Sequence, residues 1–188
     1  MTSITVSIDA TRAAVERALI LAGCDERAAQ IQADLLLEGE LRGRRSHGLQ
    51  RLKVIIERLR AGLAQTSEPP LMDWVSGSLL RVDGRCGLGP VVCDEVLTRL
   101  IERSRSTGVA AATISNTNHL GMLALYVERA AREGMVCIGL TTSEALVHPW
   151  GGREALIGTN PIAIGVPAKS EPVIIDLATS QISAGQVI

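Results

Sequence analysis

Three stretches of this sequence hold side chains able to move protons or grip an anion. In RRSHGLQR, residues 44–51, His47 and Arg51 stand four apart. If the following helix begins at or before Ser46, that spacing puts both side chains on one face, one turn apart. An imidazole so placed could give a proton to a carbonyl oxygen while the guanidinium fork holds an adjacent carboxylate. The plainer reading is a helix start with solvated basic residues, because Arg44, Arg45 and Lys53 surround the pair. SNTNHLG, residues 115–121, follows a strand-like run and opens a helix-like one. That is the end of an α/β sheet where ligands sit and where free N–H groups point outward. His119, flanked by Asn118 and Gly121, reads as an acid/base, or equally as an exposed neighbour of an Asn116 or Asn118 cap. In HPWGGREALIGTNP, residues 148–161, Gly151, Gly152, Gly158 and Asn160-Pro161 permit tight turns near a ligand, and Arg153 supplies charge.

The elements that must position these residues follow from periodicity. The first third is helical. Apolar positions at Ala14, Ala18, Leu21 and Ala22 predict one helix over residues 9–22, and Asp25 caps a second that runs to Gly43. A third is predicted from Gly48 to Arg60, with Leu52, Ile55, Ile56 and Leu59 on one side. Residues 1–65 thus read as a helical arm or cap. TSEPP is a breaker cluster, and two short strands follow around Ser76-Gly77-Ser78, which is hairpin chemistry. Beyond it come a helix over 90–105, a strand over 109–115, a helix over 120–132 and a strand over 135–143. This alternation predicts an α/β layer with parallel neighbours. PIAIGVP and PVIIDLA are two further strands. The last of these is followed by TSQISAGQVI with no closing helix, so residues 66–188 read as part of a larger α/β domain, incomplete at its C-terminus.

Composition excludes several function classes. The chain has 188 residues, 46% apolar and 21% charged, with a net charge of −1. A near-neutral balance leaves no field to draw in nucleic acid or an anionic membrane. With no Phe, one Tyr and two Trp, the core must be aliphatic and no base-stacking platform exists. No apolar run is long enough for a bilayer, and the N-terminus lacks the pattern of a leader. Cys24, Cys86, Cys93 and Cys137 show neither a CxxC pair nor metal-ligand spacing with the histidines. They are predicted as four buried free thiols of a reducing, cytoplasmic protein, with no metal site. VDGRCGLGPVV imitates a dinucleotide fingerprint, but its glycines run G-x-x-G-x-G, the reverse of the order that turn needs.

Together SHGLQR (46–51), NTNHLG (116–121), PWGGREALIGTNPIAI (149–164) and DLATS (176–180), in that order, resemble the malate/L-lactate dehydrogenase family of the non-Rossmann type. The resemblance covers nearly the whole chain. It implies a mixed-sheet α/β fold with a helical segment, a homodimer, and hydride transfer between NAD or NADP and a small 2-oxo or 2-hydroxy acid. Malate, lactate, sulfolactate, ureidoglycolate and cyclic imine acids are the substrate types of that family. His47 and His119 match catalytic proton donors and acceptors, and Arg51 the substrate carboxylate clamp, with Ser46 and Asn118 beside them. Ser143, Gly151, Gly152, Thr159, Asn160, Asp176, Leu177 and Ala178 match the cofactor-binding positions. Arg45 stands where many relatives carry an acidic residue, and family chains are nearly twice as long. The competing reading is a non-catalytic truncated remnant acting as a structural or oligomerisation subunit. That reading predicts eroded site motifs, whereas His47, Arg51, His119 and the Gly-Gly loop are all present.

Overall fold

The computed structural model describes residues 5–180. The chain divides into two compact units, Met1–Gly121 and Met122–Ile188.

In the first unit, α1 (Ile8–Leu21) starts at Ser7, whose Oγ accepts from the Ala10 N–H. α2 (Glu26–Leu41) starts at Asp25, whose Oδ1 accepts from the Ala28 N–H at 2.9 Å. These are the side-chain caps that leave helix starts satisfied. α1 and α2 bury Val15, Leu19, Ala29, Ala33 and Leu36 in an aliphatic core, against which Leu52 and Ile55 of α3 (Leu52–Arg60) pack. The helix predicted from Gly48 begins at Leu52 instead. Two 3₁₀ turns, Arg45–His47 and Leu49–Arg51, precede it. The interruption has a tertiary cause: the Leu49 N–H donates to Glu40 Oε1 of α2 at 2.9 Å, and Gly48 between the turns is extended.

β1 (Leu71–Trp74) and β2 (Leu79–Gly87) form the expected antiparallel hairpin, its turn held by Ser76 Oγ accepting from the Leu79 N–H. α4 (Gly89–Thr107) then crosses over so that β3 (Ala111–Thr117) lies parallel to β2. Val92 and Val96 of α4 pack onto Leu80 and Val82 of β2. The helices do not stand apart as an arm ending at residue 65. Leu88, which precedes α4, and Val91 in its first turn join the core of α1 and α2, so the compact unit runs on to Gly121.

The second unit holds α5 (Ala124–Arg132) and the strands β4 (Cys137–Leu140), β5 (Ile162–Val166) and β6 (Val173–Leu177). Here the expectation of parallel neighbours fails. β4 pairs antiparallel with β5, β5 antiparallel with β6, and β3 belongs to a different sheet. The reason is that α5 packs on the sheet after it. Val127 of α5 seats against Gly139 and Gly165, so the helix covers a sheet that its preceding strand never joins. α5 also starts at Ala124 and not at Leu120. The opposite face of this sheet carries Ile138, Leu140, Val166, Val173, Ile175 and Leu177, all exposed in the chain as it stands.

The cysteine expectation needs amendment. Cys24 and Cys93 are buried, and burial pushes their thiols up to about 11 and about 12. Cys137 is half-buried and Cys86 is exposed. Among the described residues no helix is long and apolar enough to cross a membrane, and no cluster of ligands could hold a metal ion.

Candidate active site

The first two sequence candidates meet. His47 leaves the first 3₁₀ turn, Arg51 ends the second and His119 follows β3, and all three line one cavity of about 40 Å³. The ring centroids of His47 and His119 are 5.7 Å apart. His47 and Arg51 converge without the continuous helix that the spacing suggested. Ser46 Oγ lies 3.1 Å from His47 Nδ1 and fixes the ring from behind. The guanidinium of Arg51 makes no hydrogen bond or ion pair with any described residue, so its fork stays available to an anion.

His119 is held differently. Its Nδ1 accepts from the Gly121 N–H at 3.0 Å, which leaves the ring proton on Nε2. Crowding around the ring, then the positive charges of Arg51 and His47, pull its pKa from 6.5 down to about 3. The residue keeps part of its surface open, but both causes disfavour the imidazolium. His119 is therefore a neutral hydrogen-bond donor at neutral pH. Its proton uptake is also linked to folding. Below pH 6.5 the unfolded chain binds a proton that the folded ring refuses, so stability is full above 6.5 and lost as pH falls toward 3. His119→Asn keeps an acceptor for the Gly121 N–H and removes the titrating ring. In urea unfolding at several pH values, its stability declines less steeply below pH 6.5 than that of the wild type. Parallel curves would rule the linkage out.

Asn118 is brought to the same cavity but is already engaged. Its Nδ2 donates to Cys86 O at 2.7 Å and Leu63 O at 3.2 Å, and its Oδ1 accepts from Arg58 Nε at 2.7 Å. The amide ties the loop after β3 to α3 and the end of β2.

Other residues that matter here were not singled out from the sequence. Arg58, seven residues after Arg51, is a second cation at the cavity, and that two-turn spacing was the available signal. Glu40 anchors the turn through Leu49, as described above. Gly39 is the third. A Cβ there would meet His47 O at 2.8 Å and Gly48 Cα at 2.9 Å, so α2 admits the turn that carries His47 only because this side chain is missing. Gly89 does the same for the other histidine: its Cβ would strike the backbone of His119. The fingerprint-like glycines thus include one that packs a helix start against the His119 loop. Gly39→Ala should destabilise the chain by about 1–3 kcal/mol in urea unfolding and lower turnover as well, because the clash falls on the backbone that carries His47.

The cofactor-matching residues gather at one end of the β4–β6 sheet. Ser143 Oγ accepts from the Thr159 N–H at 2.9 Å, and the Ser143 N–H donates to Asn160 Oδ1 at 3.0 Å. Leu177 pairs with Ile162, and beyond Ala178 the Thr179 N–H donates to Thr159 O at 2.9 Å. Asp176 Oδ2 accepts from the Ala124 N–H at 2.8 Å and so caps α5. Gly151 and Gly152 stand apart from this knot, at a turn in the loop bridged by Val147 and Ile157.

Residues 6–188 match the model of a family described as malate/L-lactate dehydrogenase. The chain belongs to that family. Malate dehydrogenase of Pyrococcus abyssi is 38% identical over 92% of this chain and 48% of its own length. The NADP-named (2R)-3-sulfolactate dehydrogenase of Chromohalobacter salexigens is 35% identical over 91% of this chain and 51% of its own. The crystal structure of a dehydrogenase from Sinorhizobium meliloti superposes with a TM-score of 0.94 and 47% identity, over 98% of this chain and 54% of that one. This malate/L-lactate dehydrogenase family chain therefore spans about half the length of the relatives it matches.

Proposed function

We propose that the protein interconverts a small 2-oxo acid and its 2-hydroxy acid, of malate, lactate, sulfolactate or ureidoglycolate type, with NAD or NADP. The observation that carries this reading is the convergence of His47, His119 and an unpaired Arg51 on one small cavity. Arg51 grips the substrate carboxylate with its planar fork. His119, neutral and donating from Nε2, polarises the carbonyl oxygen. His47 gives that oxygen a proton during reduction and takes it back during oxidation, with Ser46 steadying its other nitrogen.

The nicotinamide cofactor, when bound, supplies the hydride or takes it up. The donor set at the end of the β4–β6 sheet suits such a group. Ser143 and Thr159 present hydroxyls, Arg153 has no partner among the described residues, and Asp176 keeps Oδ1 free for a sugar hydroxyl. Ser143, Thr159, Asn160, Asp176, Leu177 and Ala178 would hold it, with Gly151 and Gly152 allowing close backbone approach. A homodimer and a cytoplasmic setting complete the proposal, the exposed Cys86 thiol being suited to a reducing compartment.

The test follows nicotinamide absorbance in the full-length protein with oxaloacetate, pyruvate and sulfopyruvate, alongside cofactor titration. Turnover of at least one acid is expected. Neither turnover nor cofactor binding would overturn the proposal and favour the non-catalytic subunit.

A further inference from the structure

The cavity has one more polar wall. Gln32, on the buried face of α2, is only 3% exposed and is the one polar residue buried among the described residues. It lines the cavity together with His47, Arg51 and His119. Its carboxamide makes no hydrogen bond to any described residue. Its neighbours on the helix, Leu35 and Leu36, are buried and apolar. No buried side-chain nitrogen or oxygen among the described residues lacks a partner, so the amide, which has none, keeps accessible surface, and the space beside it is the cavity. An amide without a protein partner, bordering a cavity whose wall is otherwise largely apolar, is placed to bind what enters it.

We propose that Gln32 is a substrate-binding residue that donates from Nε2 to the acid group held by Arg51. This rests on the 2-oxo acid reading above. A cavity of about 40 Å³ exceeds the roughly 10–15 Å³ needed by one water and matches a small acid group more closely than a whole substrate. Arg51 and Arg58 already supply positive charge at this wall. A neutral donor adds direction without a third charge, so the subsite selects a planar or tetrahedral anion that offers several acceptor oxygens, a carboxylate or a sulfonate.

Gln32→Met, which keeps length and removes the amide, and Gln32→Glu are compared with the wild type in the full-length protein. The readouts are kcat, KM for oxaloacetate and pyruvate, cofactor Kd and Tm. For Gln32→Met the proposal expects KM to rise about tenfold or more, with kcat and cofactor Kd nearly unchanged and Tm close to the wild type. For Gln32→Glu it expects a KM that climbs with pH, as the new carboxylate ionises against the bound acid. Wild-type KM in Gln32→Met, while Arg51→Ala raises it, would remove Gln32 from the site and leave the 2-oxo acid reading standing. A wild type with no acid-dependent turnover would remove both.

Discussion

Replacing His47 with alanine is expected to lower kcat by roughly 10²–10⁴-fold while cofactor affinity holds, the range for loss of a positioned acid or base. The size of the effect follows from the difference between the two histidines. His119 is kept neutral by crowding and by Arg51, and its Nδ1 is committed to the Gly121 N–H. It can orient and polarise a carbonyl, but it does not cycle a proton near neutral pH. In the proposed reaction that duty falls on His47, whose ring sits 5.7 Å away at centroid distance and is backed by Ser46 Oγ. The division of labour makes a second measurement decisive. In His119→Asn, kcat should drop by about tenfold, the scale of one lost orienting hydrogen bond, and the shape of its pH profile near neutrality should survive. A His47→Ala protein with wild-type kcat would end this assignment.

Arg51→Ala is expected to raise KM for the acid by roughly a hundredfold, equivalent to about 2–4 kcal/mol of lost charge-assisted binding. The guanidinium has no partner among the described residues, so its removal strands no buried carboxylate and need not weaken the fold. Tm should stay close to the wild type, which separates a binding role from a structural one. Arg51→Lys should recover only part of the affinity, because a single ammonium cannot offer two parallel N–H donors to one carboxylate. Arg58 is committed in part elsewhere, its Nε donating to Asn118 Oδ1 at 2.7 Å. An Arg51→Ala protein with unchanged KM would refute the clamp.

Much of this was legible from local rules. Asp25 announces a helix start because its oxygen satisfies a backbone donor three residues on, and it does so here. The Ser76-Gly77-Ser78 hairpin and the crossover helix before β3 were readable for the same reason. Where a long-range contact outweighs propensity, local reading failed. The helix expected at Gly48 is cut short by a bond from Leu49 to Glu40, nine residues back in the chain. The parallel pairing expected of the strands on either side of α5 is absent because that helix packs forward onto β5 through Gly165. Asn118 reads as a ligand contact in the sequence; in the fold it lines the cavity while its amide also ties loop, helix and strand together, a second duty that no local pattern shows.

By itself, the sequence determined which chemical groups exist and roughly where the elements that carry them begin. His47, Arg51 and His119 were visible as candidates because their types and spacing are properties of the chain alone. The tertiary structure alone decided that the three share a cavity, and that His119 is held neutral there. It also decided that Gln32 of α2 faces the same space and that Gly39 makes room for the turn. These facts depend on side chains four to more than eighty residues apart in the chain meeting around one small space. Charge, desolvation and steric exclusion act over that distance in space, whatever the separation along the chain.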